Sequence, residues 1–92
     1  MQNFDSVKSI LEQYIDLGEN PAFIFGSRMT ANFRDSSDLD ILIMDTNISP
    51  AVVTKLQEAF EDSDLLFKVD LVFRSRIADE FFEQIRDSLV EL

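Results

Sequence analysis

Ninety-two residues with 46% hydrophobic content, nine Phe, two Gly and two Pro make a chain apolar enough to fold around a core and short enough that one domain of modest burial is expected. Cysteine and histidine are both absent, which excludes disulfides, thiolate zinc sites and any Ser-His-Asp or Cys-His catalysis, and leaves oxygen as the metal-binding atom. Eighteen Asp and Glu against eight Lys and Arg give a formal net charge of −10, a poor match for duplex nucleic acid, whose phosphates are bound mainly by cations.

A first helix is predicted from Asp5 or Ser6 to Leu17, because Val7, Ile10, Leu11, Tyr14 and Ile15 recur at helical spacing and Gly18 can close the end. Glu19-Asn20-Pro21 reads as a turn, and Ala22 to Phe25 as a short buried strand ending at Gly26. Ser27 to Asn32 has the makeup of a short helix, and Phe33 to Ser37 that of a loop. Asp38 to Met44 is nearly continuous in apolar character after its carboxylates, the pattern of a central strand covered on both faces. Ser49-Pro50 starts a helix whose buried face is Val52, Val53, Leu56, Ala59 and Phe60. Leu65 to Phe73 gives a third strand, and Ser75 to Leu89 a final helix presenting Ile77, Ala78, Phe81, Phe82, Ile85 and Leu89. The order predicts a small α/β (α+β) domain over residues 1–92. No run reaches the roughly 18 to 20 apolar residues of a membrane span and no basic-then-apolar leader opens the chain, so a cytoplasmic protein without membrane contact is expected.

The chemistry concentrates in two places. Phe25-Gly26-Ser27-Arg28 puts a small-residue turn, a hydroxyl and a cation directly after a strand, a combination suited to phosphate. Asp38-Leu39-Asp40 puts two carboxylates on one face of the next strand, about 7 Å apart by the rise per residue. Asp70, inside Val69-Asp70-Leu71-Val72, is an acid among apolar neighbours that would be costly to desolvate alone. Carboxylates about 4 Å apart repel by about 4 kcal/mol at an effective dielectric near 20, and a hard cation such as Mg²⁺ or Mn²⁺ reverses that sign. Such ions can bridge a triphosphate and support in-line displacement at its α-phosphorus, with a third carboxylate taking the proton of the attacking hydroxyl. Asp45 follows the strand's apolar run and reads as a turn residue; Asp35, Asp62 and Asp64 read as solvated. Arg34, Arg74 and Arg76 read as surface or structural ion-pair partners, while Lys68 shares a strand face with Asp70 and can also meet phosphate.

In this arrangement, Gly26-Ser27, Ser37-Asp38-Leu39-Asp40 and Val69-Asp70-Leu71, the chain resembles the minimal nucleotidyltransferases of the DNA polymerase beta superfamily over nearly its whole length. The resemblance implies a polymerase-beta-like core with a small mixed sheet of three or more strands flanked by helices. It assigns metal and catalytic roles to Asp38, Asp40 and Asp70, and nucleotide binding to Gly26, Ser27 and Arg28. The family's usual Ala-x-Gly after the turn is replaced by Met29-Thr30-Ala31, a departure that bears on nucleotide affinity rather than on the carboxylates. Small members of this kind are often encoded beside a HEPN-type ribonuclease toxin and act as antitoxins by moving AMP from ATP to a toxin tyrosine. Mg²⁺ or Mn²⁺, ATP and a HEPN-type partner are therefore the implied cofactor, substrate and acceptor. Three other readings stay open: a module that neutralises a partner by complex formation alone, a transferase acting on a small molecule such as an aminoglycoside, and a purely structural domain in which the three aspartates are solvated.

Overall fold

The computed structural model describes residues 4–25, 39–65 and 68–92. Its elements run α1 (Asp5–Glu12), β1 (Ala22–Phe25), β2 (Leu39–Ile43), α2 (Pro50–Glu61), β3 (Val69–Phe73), α3 (Asp79–Ile85) and β4 (Val90–Glu91). The strands form one mixed sheet in the order β3-β2-β1-β4. β1 runs antiparallel to both β2 and β4, whereas β2 and β3 are parallel and joined through α2, the crossover that parallel neighbours require.

Side-chain alternation splits the sheet into two faces. Ala22, Ile24, Leu39, Ile41, Ile43 and Phe73 join Val7 and Leu11 of α1 and Val53, Leu56 and Phe60 of α2 in one buried cluster. The opposite face carries Phe23, Phe25, Asp40, Leu42, Asp70 and Val72. Leu42 is fully buried there, as are Leu39, Ile41 and Ile43 on the other side. β2 is thus the central strand that its apolar run predicts.

α2 starts where the sequence says it should. Ser49 sits in extended geometry as N-cap and its hydroxyl accepts the Val52 N–H at 3.3 Å, while Pro50 occupies the first turn, where no backbone donor is needed. Other boundaries differ from expectation. α1 ends at Glu12 rather than Leu17, because Asp16 builds a turn of its own: its carboxylate accepts the Gly18 N–H at 2.8 Å and its carbonyl accepts those of Glu19 and Asn20. The expected helix from Ser75 to Leu89 is interrupted, with 3₁₀ turns at Arg74–Arg76 and Arg86–Ser88 around a seven-residue α3. Ile77 and Ala78 are extended, so the α-helix cannot begin before Asp79. Val90 and Glu91, just past the end predicted for that helix, form β4 on the free side of β1, and the Leu92 N–H bonds the Ala22 carbonyl at 2.9 Å. The short helix expected over Ser27 to Asn32 and the loop to Ser37 lie outside the described residues.

Leu56 of α2 is fully buried in the core cluster. Leu56→Ala is expected to lower the unfolding free energy by about 2–5 kcal/mol through lost burial and the cavity left behind, read from the urea midpoint.

Candidate active site

Asp40 is the second residue of β2 and Asp70 the second of β3. They are direct partners in the parallel ladder, so their side chains leave the same face of the sheet on strands about 4.8 Å apart. Both are half-buried. Two segments distant in sequence therefore place their carboxylates side by side, on the face turned away from α1 and α2. Across the other ladder, Asp40 is opposite Phe25, the last residue of β1. Gly26, Ser27 and Arg28 follow Phe25 directly in sequence; with Asp38 they lie outside the described residues.

Aromatic packing borders the pair. Phe25 is buried and meets Phe81 of α3 edge to face, with ring centroids 6.4 Å apart and planes at 81°, a favoured aromatic geometry. Arg74 lies 4.5 Å above the Phe82 ring and pairs with Asp79 at 2.5 Å. These contacts hold α3 on the face that carries the carboxylates. Sequence spacing identifies Phe81 and Phe82 as apolar but does not reveal that Phe81 packs on Phe25, the neighbour of Asp40. Lys68 is exposed just ahead of β3 and lines, with Asp70, Phe60, Ser63 and Leu65, an open groove of about 580 Å³. Asp62 and Asp64 are exposed, as expected of solvated charges.

As donors, Asp40 and Asp70 suit a hard divalent cation: both offer carboxylate oxygen and both come from rigid strands. Among the described residues no group of three or more Asp or Glu side chains gathers into a metal cluster. The ladder brings Asp40 and Asp70 together, and the third acid of the motif, Asp38, is not among the described residues.

The other acid of note is Asp45, read from sequence as a turn residue. It does follow β2, but it is 5% exposed, the buried charged side chain among the described residues. Its carboxylate accepts the Ile48 N–H at 3.0 Å and the Ser75 N–H at 3.1 Å, and also accepts the Ser75 hydroxyl. Nothing in the local sequence announces this partner, which is thirty residues away. Burial alone pushes the Asp45 carboxyl up, but the Ser75 hydroxyl and the backbone N–H groups of Ile48, Ser75 and Asp45 outweigh it and hold the group below the usual carboxylate range.

Residues 5–91 match the family model for polymerase beta nucleotidyltransferases, and the chain belongs to that family: it is a nucleotidyltransferase. Among its relatives is the probable protein adenylyltransferase MntA of Haemophilus influenzae, 35% identical over 81 residues that make up 87% of this chain and 69% of that protein. The mixed sheet with three flanking α-helices agrees with the polymerase-beta-like core expected from the motifs. No helix among the described residues is long and apolar enough to cross a membrane.

Because folding depresses the Asp45 pKa, the carboxylate contributes stability that is present above the unfolded value of about 3.9 and is lost as pH falls through the lower folded value. The stability gap between wild type and Asp45→Asn, measured by urea unfolding from neutral pH downward, is expected to stay constant to about pH 4 and to shrink below it.

Proposed function

We propose that this chain is a protein adenylyltransferase that moves AMP from ATP to a hydroxyl, a tyrosine, of a HEPN-type ribonuclease toxin and so acts as its antitoxin. The observation that carries the reading is the placement of Asp40 directly opposite Asp70 on one face of the sheet. The name of the MntA relative, a probable protein adenylyltransferase, supports the transferred group and a protein acceptor. The acidic balance of the chain, −10, suits a basic protein surface better than a nucleic-acid primer.

In this reading Asp38, Asp40 and Asp70 hold Mg²⁺ or Mn²⁺, and Gly26, Ser27 and Arg28 receive the triphosphate. The bound cation supplies charge neutralisation on the triphosphate and polarisation at its α-phosphorus. Asp70, on β3 beside the open groove, accepts the proton of the acceptor hydroxyl. The hydroxyl oxygen bonds to the α-phosphorus, the bond from that phosphorus to the bridging oxygen of the β-phosphate breaks, and pyrophosphate leaves. Arg28 offers a guanidinium to the departing charge, the bidentate partner that phosphate favours.

The test is intact-mass analysis of a HEPN-type partner after incubation with this chain, ATP and Mg²⁺. The expected result is a gain of whole AMP units, reduced at least about 100-fold in rate by Asp40→Asn or Asp70→Asn, since loss of even an outer-shell partner costs 10- to 100-fold at metal sites. Metal-free Asp70→Asn is expected to stay folded with a melting temperature close to that of wild type, because Asn nearly matches Asp in size at this half-buried position. No mass gain together with a stable, neutralised complex would replace transfer by neutralisation through binding alone.

A further inference from the structure

The ladder between β2 and β3 pairs residues separated by thirty positions throughout, from Leu39 with Val69 to Ile43 with Phe73. Asp45 and Ser75 have the same separation and lie two residues beyond the ladder's end. Their contact therefore continues the register past the last paired residues. We propose that the Asp45–Ser75 clamp is the positioning device that holds β3 in the register at which Asp70 stands opposite Asp40; Asp45 and Ser75 are positioning residues for the carboxylate pair. The link from that register to cation binding rests on the proposed function.

The reason a clamp is needed lies in β3 itself. Its sequence, Val69-Asp70-Leu71-Val72-Phe73, is apolar on both faces apart from Asp70. A slip of one residue is opposed by alternation, since it would turn Asp70 into the core face. A slip of two residues preserves both faces and meets no such penalty, yet it would carry Asp70 about 7 Å along the strand from Asp40. Opposition to such a slip falls to the strand ends. At one end the Leu39 N–H bonds the Lys68 carbonyl at 2.8 Å, a backbone bond that any residue can supply and that selects no register. At the other, Asp45 engages both the N–H and the hydroxyl of Ser75, and a two-residue shift would present Phe73 or Ile77 to it, neither with a side-chain donor. The flanking cation Arg74 is engaged elsewhere, by Asp79 and the face of Phe82. Asp45 is also anchored on its own side by the Ile48 N–H, so the clamp ties β3 to a fixed point rather than to a loose loop.

The test compares wild type, Ser75→Ala and Ser75→Thr in two readouts on the full chain: Mn²⁺ binding in the absence of nucleotide, and amide hydrogen exchange across residues 69–73. Ser75→Ala removes one hydroxyl from a side chain at the protein surface, and circular dichroism verifies that it is folded. The expected result is Mn²⁺ affinity weakened about five-fold, within the range by which packed networks couple distant sites, with faster exchange at Val69 to Leu71 and recovery of both in Ser75→Thr. Unchanged Mn²⁺ affinity in Ser75→Ala, or weakened affinity with exchange untouched, overturns the proposal. If wild type itself binds no Mn²⁺, the proposed function falls and exchange alone decides the register: acceleration in Ser75→Ala upholds the clamp, and no change overturns it.

Discussion

Everything proposed for this protein depends on two parallel strands being held at one relative position. Asp40 and Asp70 are separated by an entire helix in the chain, and only the β2–β3 ladder makes them neighbours. Placing two carboxylates side by side is unfavourable in isolation. The fold bears that cost because β2 is buried on both faces, with Leu39, Ile41, Leu42 and Ile43 inaccessible to solvent, and because α2 packs Val53, Leu56 and Phe60 against the same sheet. The apolar core supplies the rigidity, and the acidic pair uses it.

The division of the sheet into two faces follows from the same alternation. One face takes α1 and α2 and fills with apolar side chains, Phe60 and Phe73 among them; the other keeps the acids, with Phe25 and Phe81 meeting at their border. A nucleotidyltransferase needs such a division, since charged phosphates and a cation must be met at a surface while the groups that meet them stay fixed. Among the described α-helices α3 is the least buried, with no buried side chain, and it rests on the face that carries Asp40 and Asp70 through an aromatic contact and the Arg74 ion pair. It is thus a border of the site more than a support of the core.

Much of this was legible in the residues. Ser49-Pro50 announced the start of α2 because capping is local chemistry, and the apolar run after Asp40 announced a central strand because burial on both faces leaves that mark. The pairing of Asp40 with Asp70 agreed with an isolated acid among apolar neighbours, which asks for a partner. What stayed hidden was non-local or too short to carry a period. β4 is two residues long, so no alternation could distinguish it from a chain end. The apolar spacing of α1 continues into the turn that Asp16 makes with its own carboxylate, so spacing alone extends the helix beyond its end at Glu12. Asp45 sat where a turn residue belongs, and its hydrogen bonds to Ser75 come from thirty residues away. Gly26, Ser27, Arg28 and Asp38 lie outside the described residues, and their roles rest on motif and family.

Where a cation sits on the protein is read from paramagnetic broadening by Mn²⁺ in its amide NMR spectrum at substoichiometric ion. Broadening strongest at Leu39 to Ile41 and Val69 to Leu71, with α1 little affected behind the sheet, is the result expected of a cation held between Asp40 and Asp70. Broadening centred on another acidic surface, such as Asp62 and Asp64 or Glu80 and Glu83, with the Asp40 and Asp70 signals sharp, would contradict it.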